Sequence, residues 1–141
     1  MVGQRFFFAA LVYFVMLPAL AQVDRIYRGV RALSGKEMQL ALLGRASTRE
    51  CKPLPLPEIH VIAAPEHGLL TVRAGTVTTN QYQGCPNLKL RVQVLLYRST
   101  PGYVGSDTVS FAVTFENGER QAHQISITVA KEGEASKAEE L

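Results

Sequence analysis

From residue 36 onward the chain alternates between apolar and polar positions with a period near two, the signature of half-buried β-strands. Met38, Leu40 and Leu42 alternate with polar or small neighbours in Glu37 to Leu43. Ile59 to Ala63 and Leu69 to Arg73 read as short strands around the turn-forming Pro65-Glu66-His67-Gly68. Val77 to Gln83 is a more polar strand candidate. Leu88, Leu90, Val92, Val94 and Leu96 then fall on one face of a long strand, with Lys89, Arg91 and Gln93 opposite. Val109, Phe111, Val113 and Phe115 repeat the pattern, with Thr108, Ser110 and Thr114 turned outward, and Ile125, Ile127 and Val129 repeat it again. Asn117-Gly118, between the last two runs, predicts a hairpin with a type I′ turn, because both residues tolerate positive φ.

Two stretches break the alternation. Lys52-Pro53-Leu54-Pro55-Leu56-Pro57 excludes helix and central strand, since alternating prolines fix φ and remove donors, and it reads as an extended connector. Gln22 to Gly35 is a basic lead-in with Arg25, Arg28 and Arg31 spaced by three. On a helix the three arginines would share one membrane-facing side. The preferred reading is an N-terminal arm or first strand with solvated charges. Together these segments predict an all-β chain: a β-sandwich of six to seven antiparallel strands over residues 36–130, with a barrel as the alternative.

The first 21 residues follow another logic. Arg5 precedes an apolar run from Phe6 to Leu17, then Pro18 and Ala19-Leu20-Ala21. This is the layout of a secretory signal peptide, with cleavage expected between Ala21 and Gln22. A spanning helix needs about 20 apolar residues and would be interrupted here by the proline. A soluble periplasmic or secreted protein is expected, with no stable membrane insertion after cleavage and a flexible charged tail over residues 131–141.

Composition sharpens this picture in two ways. The 141 residues carry a formal charge of +3, which drops to +2 once Arg5 is removed. Charge this modest argues against a nucleic-acid partner. From Asp24 to Lys52, however, seven Lys or Arg stand against three Asp or Glu, an asymmetry that would favour an anionic envelope partner. Export also changes the meaning of Cys51 and Cys85, the two cysteines of the chain. In an oxidising compartment they are expected to pair, and closing a loop of this length is worth about 4 kcal/mol in the chain-entropy model. No CxxC or HxxxH spacing supports a metal site or a redox pair.

The run Tyr97-Arg-Ser-Thr-Pro101-Gly-Tyr103-Val-Gly105-Ser-Asp107-Thr-Val109-Ser-Phe111 resembles the bacterial cadherin-like and Ig-like repeat units. Those units carry an aromatic–Gly–x–Asp–x–apolar–x–aromatic pattern before their penultimate strand. Pro65-x-His67-Gly68 is similar to their Pro-x-His-Gly turn, and Ile125 to Val129 to their final strand. The resemblance spans roughly residues 58–130 and implies an Ig-like fold. Proline stands four residues after Tyr97 instead of two, and Glu116-Asn117-Gly118 replaces the usual Asp-Gly turn. The stretch from Gly68 to Tyr97 is longer than in the repeats and contains Cys85. No acidic cluster like that of the calcium-binding cadherins is present, so no cofactor is carried over. Pro65, His67, Gly68, Gly105, Asp107, Asn117 and Gly118 are expected to be structural turn residues. Asp107 should accept backbone N–H bonds in the turn before its strand.

Two functions of different kind follow. No GxSxG, HExxH, Walker-type or GxGxxG motif is present, which favours a non-catalytic interaction module, expected as a monomer. It would bind a protein or envelope component through an edge strand or a loop, with Arg73 to Asn87 the candidate loop. The alternative is a small periplasmic enzyme or ligand carrier whose site assembles around His60, His67 and His123. A third arrangement completes the sandwich by strand exchange between subunits.

Overall fold

A computed structural model describes residues 13–16 and 23–133. The signal-peptide reading and residues 134–141 of the charged tail lie outside the described residues, Tyr13 to Met16 apart. The described residues form nine strands: β1 (Asp24–Leu33), β2 (Glu37–Leu43), β3 (Ala46–Ser47), β4 (Lys52–Pro53), β5 (Glu58–Ala63), β6 (Gly68–Thr79), β7 (Leu88–Ser99), β8 (Gly105–Thr114) and β9 (Arg120–Ala130). They form a four-stranded sheet in the order β1-β9-β8-β5, a three-stranded sheet β2-β7-β6, and the small β3-β4 hairpin. The inner faces of the two larger sheets share one core. Leu40, Ala41, Leu95 and Tyr97 from one sheet meet Val109, Phe111, Val113, Ile125, Ile127 and Val129 from the other.

The basic lead-in takes the form of a strand. β1 pairs with β9 over all ten of its residues and in parallel, so the pairings are not all antiparallel as expected. The two strands run side by side in one direction because the rest of the domain supplies the long crossover that a parallel pair requires.

Three elements depart from the expected pattern. Leu69–Arg73 and Val77–Gln83 are not separate strands, because β6 runs unbroken from Gly68 to Thr79 against all of β7. The expected long apolar face of β7 changes side. Leu88, Leu90 and Val92 are buried, then Leu95, Tyr97 and Ser99, while Val94 and Leu96 are only partly covered. The upper half of β7 faces the opposing sheet. The lower half extends beyond the pairing with β2, which ends at Leu43–Gln93. There Gly44 lies against Val92, β4 packs on β7, and Leu88, Leu90, Val92 and Cys85 are buried apart from the main core. In β2, a bulge between Gln39 and Ala41 turns Ala41 inward and leaves Leu42 partly exposed.

The β8–β9 hairpin is where Asn117-Gly118 placed it, but its turn is different. Gly118 has φ +84°, whereas Asn117 does not reach positive φ. Gly118 N–H donates to Phe115 O at 2.9 Å and Phe115 N–H to Glu119 O at 2.9 Å. This is a three-residue loop with a left-handed closing glycine, not a two-residue type I′ turn. Asn117 Oδ1 adds an acceptor for Glu119 N–H at 3.0 Å.

Cys51 and Cys85 form a disulfide, with Cα atoms 5.4 Å apart. It joins the β3–β4 turn to the β6–β7 loop and so ties down the cover over the lower half of β7. Replacing both cysteines with alanine should lower stability by up to about 4 kcal/mol in urea titrations. Limited proteolysis should then cut first between residues 44 and 57. Unchanged stability would contradict the staple.

Candidate functional site

At the end of the domain where β5, β7 and β8 meet the turns, Pro65, His67, Gly68, Gly105 and Asp107 assemble in one corner, while Asn117 and Gly118 lie in the β8–β9 hairpin at the other end. Asp107, 5% exposed, points into it. Its Oδ1 accepts Glu66 N–H at 3.0 Å and Thr108 N–H at 2.9 Å. Its Oδ2 accepts His67 N–H at 3.0 Å and the Tyr97 hydroxyl at 2.8 Å. The carboxylate thus serves the β5–β6 turn, forty residues upstream of it, and the opposing sheet as well as its own strand. Burial pushes the Asp107 carboxyl up, but the hydrogen bonds from Tyr97, Thr108, Glu66 and His67 outweigh it and hold it below its ordinary value. Burial, together with the hydrogen bond and charge of Asp107, pushes the Tyr97 phenol far up.

The neighbouring residues explain why this corner closes. Gly68 is required by close approach, since a Cβ there would stand 2.7 Å from the Tyr97 ring and 2.6 Å from Arg98 O. Pro65 precedes the turn half-buried, and the His67 ring stacks on Tyr103 at 4.1 Å. Tyr103 in turn donates to Ser106 O at 2.6 Å and covers Gly105, the first residue of β8. The corner is a structural knot in which each Asp107 carboxylate oxygen accepts two hydrogen bonds.

The opposite end carries an ion pair. Arg45 donates from Nη1 and Nη2 to both carboxylate oxygens of Glu119 at 2.8 and 2.7 Å and lies 3.4 Å over the Phe115 ring. Hydrogen bonding to Arg45 holds the Glu119 carboxyl down to about 2.

The three histidines are not brought together. His60 is exposed on β5, His67 sits in the turn before β6, and His123 lies on the inner side of β9, stacked on Phe111 at 4.8 Å. Burial, with a smaller contribution from Arg28, pushes His123 below its usual value. Among the described residues no group of three or more His, Cys, Asp or Glu is arranged to hold a metal ion.

The candidate loop is shorter than expected. Arg73 to Thr79 belong to β6, leaving Asn80 to Asn87 as the irregular part. That part is tied internally: Asn80 Oδ1 accepts Asn87 N–H at 2.7 Å, and Cys85 N–H donates to Tyr82 O at 3.0 Å.

The feature that sequence reasoning missed is the outward face of the β1-β9-β8-β5 sheet. The first-strand reading of the lead-in did not say which of its arginines would face solvent. On a strand, Arg25, Tyr27, Gly29 and Arg31 alternate onto one face, while Arg28 turns to the other. Arg28 donates to Leu40 O and bridges the sheets. The outward residues pair with Ala122, Gln124, Ser126 and Thr128 of β9. Arg25, Tyr27, Ile62, Ser110, Ala122 and Gln124 line a shallow depression of about 270 Å³ on that face.

No family model and no curated protein matches the chain. It is similar to amebosin, whose solution structure aligns at 9% identity with 77% of this chain and 99% of its own, at a TM-score of 0.41.

Removing the central carboxylate by Asp107→Ala should cost about 3 kcal/mol at neutral pH, because it orphans buried donors, and Tyr97→Phe about 1 kcal/mol. A carboxyl that titrates lower in the folded chain than in the unfolded one stabilises fully above the unfolded pKa of about 3.9 and loses that contribution as pH falls through the folded value. Denaturation measured from pH 7 to 2 should therefore show the gap between the wild type and Asp107→Ala narrowing as pH falls below about 3.9. A constant gap would contradict a carboxyl held below its ordinary value in the folded chain.

Proposed function

We propose that this chain is an exported, non-catalytic interaction module with an Ig-like β-sandwich, binding a protein or envelope component of a bacterial cell surface or periplasm. The strand order β1-β9-β8-β5 against β2-β7-β6, with the first strand alongside the last, supports the Ig-like reading. The Cys51–Cys85 bridge supports export, because such bonds persist in oxidising compartments. The observation that carries the binding reading is the outward face of the four-stranded sheet. Tyr27 and Ile62 stand 66% and 62% exposed there on a hydrogen-bonded scaffold, and Arg25 and Arg31 make no ion pair among the described residues. Exposed aromatic and arginine side chains on a rigid support are the usual material of a recognition surface.

Two measurements test this reading. Expressed in a bacterial host, the chain should appear outside the cytoplasm, beginning at Gln22, with both thiols blocked. Retention of residues 1–21 with reactive thiols would refute export. Purified mature protein should also co-sediment saturably with bacterial envelope fractions, and a protein that stays in the supernatant with all of them would refute the interaction role.

A further inference from the structure

Resting on the interaction-module reading, we propose that the outward face of the β1-β9-β8-β5 sheet binds an acidic polysaccharide. Pairing across the sheet lays its side chains in rows. Arg25, Ala122, Ala112 and His60 form one row, and Tyr27, Gln124 and Ser110 the next. Gly29, Ser126 and Thr108 form the third, and Arg31, Thr128 and Ser106 the fourth. The middle of the face is therefore built from short hydroxyl and amide side chains, which donate and accept hydrogen bonds in the way sugar hydroxyls require. At Gly29 a Cβ would meet nothing within 4 Å, so the trough stays open there.

Charge selects the class of sugar. No carboxylate stands in the four rows, and neither Arg25 nor Arg31 has an acidic partner among the described residues, whereas Lys36, Arg45, Arg73 and Arg98 all face glutamates. Arg25 and Arg31 lie six residues apart on one strand, about 20 Å at the rise of a β-strand, a span that would hold acidic groups several sugar units apart on an extended polymer. Their planar forks match carboxylate or sulfate groups two bonds at a time. Between them Tyr27, opposite Ile62 across the depression, offers an exposed ring on which a sugar can stack. A membrane-docking face would show clustered basic residues around several apolar side chains, and a nucleic-acid face a denser basic stripe. This face has Arg25 and Arg31 around a polar floor, with Arg120 and Glu58 in the row at its end.

The test uses the mature protein with three polymers, polygalacturonate, alginate and heparin, and neutral dextran as control, read by affinity electrophoresis and calorimetry. Binding to at least one acidic polymer and not to dextran is expected, weakening as salt rises. The double variant Arg25→Ala/Arg31→Ala should weaken binding at least tenfold and Tyr27→Ala about fivefold, with unchanged melting. Arg73→Ala/Arg98→Ala on the other sheet should leave it intact. An equal loss in that control pair would overturn the assignment to this face. Tighter binding to phosphatidylglycerol vesicles or to a single-stranded oligonucleotide would overturn the ligand class. Failure with all three polymers, while envelope co-sedimentation persists and is destroyed by protease, would overturn the polysaccharide and leave the interaction role standing. Failure of both would remove both.

Discussion

A buried carboxylate holds this domain together at its most crowded point. Asp107 takes hydrogen bonds from its own strand, from the β5–β6 turn and from Tyr97 in the opposing sheet. A charge that deep costs free energy unless every lone pair is satisfied, and here the donors are supplied from three separate elements. The requirement propagates outward. Tyr97 must reach across the core, so Gly68 must be small enough to let its ring pass. The turn must present two adjacent N–H groups, so it is held in one geometry. Tyr103 and His67 then close over the outside.

The far end is secured by different means. The disulfide, the Arg45–Glu119 pair and the 44–57 cover restrain a region where β7 outruns its partner β2. The lower half of β7 consequently buries its other face, and one strand serves two apolar clusters. With both ends fixed, the four-stranded sheet between them is a stiff platform, and its outward face can carry recognition without any residue being diverted from the core. The arginines of β1 divide the work: Arg28 bridges the sheets and Arg25 and Arg31 face solvent.

Much of the strand inventory was legible because Val109, Phe111 and Val113 in β8 and Ile125, Ile127 and Val129 in β9 alternate, and both strands bury the residues the pattern indicates, with Ala112 buried as well. The expected export and the two cysteines together pointed to the bridge. What could not be read came from tertiary context. Val94 and Leu96 continue the apolar register of Leu88 to Val92, so nothing local marks the point at which β7 changes its buried face. Ala74-Gly75 looks like a break, yet pairing with Gln93 and Val92 carries β6 straight through it. The Asn117-Gly118 signal identified a hairpin but not its loop length, because Glu116 is drawn in by the bond between Phe115 and Gly118. The outward face was illegible for a related reason: a first strand alternates Arg25, Arg28 and Arg31 between two faces, and only the parallel pairing with β9 decides which face meets solvent. Asp107 was placed as a turn acceptor from its neighbours, but its bonds to Glu66 and His67 span 41 and 40 residues, which no local motif specifies.

An ionised Asp107 joins the β5–β6 turn and Tyr97 of the opposing sheet to β8, and the whole corner depends on that charge being fully bonded in the folded protein. Carbon-detected NMR titration of the Asp107 carboxyl measures this directly. A folded-state midpoint below the unfolded aspartate value of about 3.9 is the predicted result. A midpoint at or above that value would contradict it.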